Sequence, residues 1–195
     1  MVMMTKPRTI RVTVCALNEL ECHSAHHASH VLSILDPDTP EPPVFATYGP
    51  HSRTTLRFHD EIEAGHNYIL PQPGHIETIL ALGRSLVADE KAESHVLVHC
   101  QMGISRSTAA TAALLAVVYP DEDEWQIFTR VLQMRPEAWP NCRMIVLADE
   151  LLGRRNRLTA ALGRLYATQL AKRPELGPYL RKHGRGREVD MAQSD

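Results

Sequence analysis

The sequence predicts an α/β domain, and three observations carry that expectation. Short alternating or β-branched runs occupy the first third of the chain, apolar residues fall at helical spacing from Pro73 onward, and one compact apolar run, Val96-Leu97-Val98, interrupts the helical part. Strands joined by helical crossovers build layers of this class. With 195 residues and 44% hydrophobic content, the chain suffices for one domain around a single core.

The elements follow in order. Ile10-Arg11-Val12-Thr13-Val14 alternates apolar and polar residues as a half-buried strand does, and Val31-Leu32-Ser33-Ile34-Leu35 reads as a second strand. The stretch from Asp36 to Pro43 continues neither element, because each proline removes a donor and fixes φ. Leu56-Arg57-Phe58 is a short third strand ending in His59-Asp60. Ile76, Ile79, Leu80, Leu86 and Val87 mark a helix, and Val96-Leu97-Val98 has the composition of a strand buried on both faces. Ser107–Val118 is rich in alanine and leucine, and Trp125–Met134 follows four acidic residues suited to a helix N-terminus. Asn141 can cap a helix that runs to Leu152 and stops at Gly153. Leu158, Leu162, Leu165 and Leu170 mark one more. The domain is expected to span residues 8–171. Residues 172–195 hold Pro174, Gly177, Pro178, Gly184 and Gly186, with six Lys/Arg against two Asp/Glu up to Glu188, and read as a basic, flexible, solvated tail.

Composition excludes several classes of function. Lys+Arg 21 against Asp+Glu 23 gives a formal charge of −2, without the basic excess of a general nucleic-acid or anionic-membrane binder. No apolar run approaches a membrane span, and Met1–Arg11 lacks the apolar core of a signal peptide. Cys15, Cys22, Cys100 and Cys142 are irregularly spaced and make no secreted disulfide framework. The expectation is a cytoplasmic protein.

The chemistry concentrates in Val96–Ser107, which reads as strand, tight loop and helix. Such a loop aims backbone N–H groups inward, and the helix start adds partial positive charge, so the two form an anion cradle. Gly103 permits a backbone conformation that a side chain would block. Arg106 supplies a planar fork suited to phosphate oxygens. Cys100 sits where these converge, so its thiolate is favoured and aimed at a bound phosphate.

His99-Cys100, Gly103, Arg106 and Ser107 reproduce the HCxxGxxR[ST] signature, and the chain here resembles the cysteine-dependent protein phosphatases, the Gly-Ile-Ser-Arg-Ser run being similar to the dual-specificity branch. Arg135-Pro136 followed by Pro140-Asn141 resembles the Arg-Pro…Pro-Asn segment of that branch. The resemblance implies a central, mostly parallel sheet flanked by helices on both sides, and a phosphocysteine intermediate formed without cofactor or metal. It implies that Gln101, Met102, Gly103, Ile104, Ser105 and Arg106 bind phosphate. It further implies that Ser107 stabilises the departing thiolate, and that His99 orients the loop rather than carrying a proton.

The family also uses an aspartate at the end of an upstream strand, which protonates the leaving oxygen and then activates water. Asp60 fits best, although it stands farther ahead of Cys100 than the family leads one to expect. A longer loop over Ala64–Pro71 accounts for the excess, and Glu61, Glu63 and Asp89 are the competitors. The expected partner is a phosphorylated protein or small phosphoester, phosphotyrosine first. The loop interior holds no lysine, unlike the loops of phosphoinositide phosphatases. Two rivals remain at this point: a non-catalytic phosphopeptide-binding module, and a sulfur-transfer or arsenate-reducing enzyme, which persulfide formation from thiosulfate would reveal.

Other features do less. Cys15 to Ser24 resembles the N-terminal phosphate loop of low-molecular-weight tyrosine phosphatases, but Glu21 stands where the arginine belongs. Cys15 and Cys22 are candidates for a protective disulfide with Cys100. His23, His26, His27 and His30 could share a helical face, yet no Cys or Asp is spaced to complete a metal site. Trp125, Phe128 and Trp139 read as core.

Overall fold

The computed structural model describes residues 9–65, 67–89 and 93–193. Residues 1–8, which fall in the stretch where no signal peptide is expected, lie outside them. Among the described residues, β1 (Thr9–Ala16), β2 (His30–Leu35), β3 (Ser52–Arg57) and β4 (Glu93–Cys100) form one sheet in the order β1-β4-β2-β3. All three pairings are parallel. The central strand β4 therefore lies between β1 and β2, and its C-terminal end, at Cys100, opens into the crevice where open α/β sheets hold ligands.

Side-chain alternation along the strands divides the interior in two. Val12, Leu32, Ile34, Leu56, Val96 and Val98 face a large core shared with α2 (Pro73–Ala88), α3 (Arg106–Val118), α4 (Glu124–Met134), α5 (Cys142–Leu152) and α6 (Arg157–Lys172). Cys15, Val31 and Leu97 face the other way, against Leu20, Ala28 and Phe45. That second layer consists of the one-turn helix α1 (Leu20–His23) and 3-10 turns at Leu17–Glu19, Ser24–His26 and Pro43–Thr47. Helical segments thus cover both faces, but the long helices all lie on one.

The central helix α3 is buried from Arg106 to Ala116. Its alanines bring neighbouring helices close, and its buried hydroxyls are satisfied within the helix, Thr111 Oγ1 donating to the Ser107 carbonyl at 2.8 Å. Caps form where the sequence places them. The Asp123 carboxylate accepts from the Gln126 amide, Asn141 Oδ1 accepts from the Met144 amide at 3.1 Å, and Gly153 ends α5 at φ 63°.

Three expectations are corrected. The segment read as a solvated tail folds into α7 (Leu176–Lys182) and α8 (Gly186–Met191), which bury Leu180, Val189 and Glu188 against the domain. Few apolar residues suffice because the buried Glu188 carboxylate is saturated: it accepts from Trp139 Nε1 at 2.6 Å, the Cys142 amide at 3.0 Å, Tyr166 Oη at 3.1 Å and two nitrogens of Arg185. The four histidines share no helical face, since His27 is left-handed at φ 49° and His30 opens β2. Among the described residues no cluster of three His, Cys, Asp or Glu is arranged to hold a metal. Finally, the half-turn sense of the strands sends Cys15 to the face opposite Cys100, so the pair cannot meet as a disulfide.

Candidate active site

Strand β4 delivers two chemically different side chains to its two faces. Cys100 is buried on the α3 side, with Sγ 3.2 Å from Oγ of Ser107, the second residue of that helix. His99 lies on the other face, where its Nε2 shares a 2.7 Å hydrogen bond with Ser33 Oγ of β2. Burial lowers the His99 pKa to about 4, against a weaker opposing pull from the Cys100 backbone. The imidazole is neutral near pH 7 and serves as a fixed hydrogen-bonding wedge between strands.

Between them the chain turns through Gln101–Ser105. Among the described residues, none of the backbone N–H groups of these five positions donates to another residue. A run of unpaired amides beside a helix N-terminus makes a positive concavity. Gly103 adopts φ 68°, and a Cβ there would fall 2.7 Å from the Cys15 carbonyl carbon and 2.8 Å from the Ala16 nitrogen. Only glycine lets the loop pass so near β1.

The loop is braced from outside. Arg135 Nε donates to the Gly103 carbonyl at 3.2 Å while its other nitrogens grip the Glu19 carboxylate, which also accepts from the Ala16 amide. The Trp139 amide donates to the Ile104 carbonyl at 3.0 Å. The Arg-Pro…Pro-Asn segment is thus the strap that fixes loop height.

Arg106 opens α3 and is 3% exposed. One terminal nitrogen donates to Asp36 Oδ1 at 2.6 Å and to the Phe58 carbonyl at 2.7 Å. Its Nε is buried with no partner, an exception that an anion in the cradle would remove.

Asp60 lines the same cavity of about 270 Å³ as Cys100, Gln101, Ile104 and Arg106. Its Oδ1 accepts from Ser105 Oγ at 2.7 Å and Asn141 Nδ2 at 2.9 Å, and Arg185 lies 3.5 Å away. Among the described residues no partner engages Oδ2. The longer loop after Asp60 closes on itself, the His59 amide donating to the Ile69 carbonyl at 2.8 Å and the Ile69 amide to His59 Nδ1 at 2.9 Å. Of the competitors, Glu61 has its pKa raised, by burial first and then by Asp60, but it does not line the cavity. Glu63 is exposed, and Asp89 caps the far end of α2.

Sequence reasoning missed Asp36, Arg185 and Glu188. Each acts on a partner dozens of residues away, and no local spacing signals it. Trp139 is core, stacked on Tyr166 at 4.3 Å, yet its edge also lines the cavity together with Tyr179 and Leu180.

No protein-family model and no curated protein sequence matches the chain. Solved structures do. DUSP15 superposes with a TM-score of 0.55 at 19% identity, covering 77% of this chain and 89% of that one. Human DUSP28 gives 0.54 at 16%, covering 74% and 93%, and PTPMT1 in complex with PI(5)P gives 0.51 at 12%, covering 74% and 91%. The chain has the fold of the cysteine-dependent dual-specificity phosphatases. No helix among the described residues is long and apolar enough to cross a membrane.

Proposed function

We propose that the protein is a phosphomonoester hydrolase working through phosphocysteine, with phosphotyrosine as its first substrate class. The observation that carries this reading is one cavity lined by Cys100, Asp60, buried Arg106 with its unpartnered Nε, and the loop residues Gln101, Met102, Ile104 and Ser105, whose amides donate to no other described residue.

The Cys100 thiolate attacks phosphorus in line, and the bond to the leaving oxygen breaks as Asp60 passes its proton to that oxygen. Arg106 and the loop amides hold the equatorial oxygens, where transition-state charge gathers. This positive field does the work a metal would otherwise do. Asp60, now a carboxylate, takes a proton from water as the water attacks phosphorus, and the S–P bond breaks. The Ser107 hydroxyl, 3.2 Å from sulfur, hydrogen-bonds the departing thiolate. His99, neutral and tied to Ser33, keeps the strand end in register and handles no proton. Trp139, Tyr179 and Leu180 supply the apolar wall that suits an aryl ring. The loop interior has no Lys or Arg before Arg106, which favours a target with a single phosphate over a polyanionic inositol head group.

Hydrolysis of p-nitrophenyl phosphate in EDTA, followed against pH, tests the reading. The wild type is expected to turn over, Cys100→Ser to be inactive, and Asp60→Asn to lose the basic limb of the profile. A wild-type chain that is inert yet binds phosphate or vanadate would instead be a phosphate-binding module.

A further inference from the structure

The carboxy-terminal helices line the cavity with Leu176, Tyr179 and Leu180, and one charged side chain ties them to Asp60. Arg185, in the turn between α7 and α8, is 13% exposed at its side chain and points inward. Its Nε donates to Glu188 Oε2 at 2.7 Å and one terminal nitrogen to Glu188 Oε1 at 2.8 Å, a two-point grip that fixes the plane of the guanidinium. That same terminal nitrogen donates to Ser105 Oγ at 3.0 Å, and the other lies 3.5 Å from Asp60 Oδ1. Ser105 Oγ in turn donates to Asp60 Oδ1 at 2.7 Å.

Glu188 is itself immobile. It is fully buried, and besides Arg185 it holds Trp139 Nε1, the Cys142 amide and Tyr166 Oη. Trp139 and Cys142 flank Asn141, whose side-chain amide donates to the same Asp60 oxygen at 2.9 Å, and Tyr166 Oη also donates to the Pro140 carbonyl. Two routes from one buried carboxylate therefore end on Asp60 Oδ1: through Arg185 and Ser105, and through the segment that carries Asn141.

We propose that Arg185 is a positioning residue for the general acid, and that the α7–α8 segment is part of the active site rather than an appendage to it. The inference rests on the phosphatase reading above. With Oδ1 held by two hydrogen-bond donors and the Arg185 cation 3.5 Å away, Oδ2 is the oxygen that carries the transferable proton to the leaving group. Arg185 exchanges no proton. It fixes the carboxyl orientation and, as the O–H bond of Asp60 breaks and the leaving oxygen takes the proton, its cation lies beside the carboxylate that forms. Burial opposes the charge on Arg185, but hydrogen bonding to Glu188 and the fields of Glu188 and Asp60 hold its pKa above the ordinary value, so the cation persists.

A residue acting through the acid must matter more when the leaving group needs a proton. The test compares kcat/KM, which reports the first phosphoryl transfer, for phenyl phosphate and p-nitrophenyl phosphate in the wild type, Arg185→Ala and Arg185→Lys. Phenolate is the poorer leaving group and depends on protonation. Arg185→Ala is expected to lose at least about tenfold more activity on phenyl phosphate than on p-nitrophenyl phosphate, a fraction of the general-acid contribution of roughly 10²–10⁴. Arg185→Lys, which keeps the charge and should fold even where the alanine variant does not, is expected to recover part of that difference. An equal loss on both esters, or none, in a variant that melts as the wild type does would overturn the proposal. A wild type that hydrolyses neither ester overturns the phosphatase reading and this inference with it, whereas Cys100→Ser serves only to show that measured turnover belongs to this site.

Discussion

Arg106 and Asp36 form a 2.6 Å ion pair across seventy positions of chain, and the pair leaves the arginine's Nε unengaged. Asp36 follows β2 and Arg106 opens α3, so the contact joins the carboxyl end of an inner strand to the helix that ends the phosphate loop. The Phe58 carbonyl accepts from the same nitrogen at 2.7 Å. The guanidinium is thus clamped at one end and free at the other.

Removing one jaw of that clamp should loosen Arg106 without releasing it. A hydrogen bond to a charged group is worth about 1.5–3 kcal/mol, so Asp36→Ala is expected to lower kcat/KM for p-nitrophenyl phosphate by about tenfold to a hundredfold. Asp36→Asn, which retains an acceptor, should lose less. The Asp36 side chain is 44% exposed, so the melting temperature should move little. Unchanged kinetics in Asp36→Ala would mean that Phe58 alone orients the arginine.

Gly103→Ala should disable the loop. The new Cβ would press against the backbone of Cys15 and Ala16, at 2.7 and 2.8 Å, in a conformation with φ 68°. Misplacing reacting groups by an ångström costs on the order of a hundredfold in rate, and kcat is expected to fall at least that far. Gly153→Ala is the control. It has φ 63° but open space around it, so it should cost about 1 kcal/mol of stability and leave kcat intact. Similar kinetics for both variants would refute the close-approach argument.

Acid should weaken the fold through His99. An unfolded chain takes up a proton on this residue near 6.5, whereas burial delays uptake in the folded state to about 4. The unfolded state therefore binds more protons between these values, and stability present above the upper one is lost as pH falls through the window. Moving from about pH 7 to about pH 5 should remove on the order of 2 kcal/mol that His99→Asn does not lose. Urea unfolding of both proteins at the two pH values measures it. Equal losses would show that His99 is not the group responsible.

The four thiols should differ in reactivity. Burial, reinforced by Glu19 for Cys15 and by Glu188 for Cys142, pushes both up to about 12. Cys22 is exposed and Cys100 lines the cavity. Iodoacetamide near neutral pH should modify Cys22 and Cys100 and spare the other two until the chain unfolds. Vanadate should protect Cys100 alone. Labelling of Cys15 or Cys142 in the native protein would contradict their placement.

Legibility in the sequence followed the locality of the physics. Val96–Ser107 declared strand, loop and helix because hydrophobicity, a glycine and an arginine fall within a few residues, and the helices from Pro73 to Lys172 declared themselves by apolar spacing. The one-turn helix at Leu20–His23 left no trace, being too short for a period to show. Residues 176–191 looked solvated because their burial rests on Leu180, Val189 and one carboxylate whose donors lie in other elements. The same holds for the site: Cys100, Arg106 and Ser107 share one loop, whereas Asp36 and Arg185 meet it only through tertiary contacts.

The central claim is that Cys100 carries the phosphoryl group, and trapping that species tests it most directly. Ser107→Ala removes the hydroxyl that assists thiolate departure, so phosphocysteine should accumulate. Acid quenching of this variant during turnover of radiolabelled p-nitrophenyl phosphate, followed by digestion and mass spectrometry, should place the label on the peptide containing Cys100. Turnover without any label on Cys100, or label on another residue, would contradict the account.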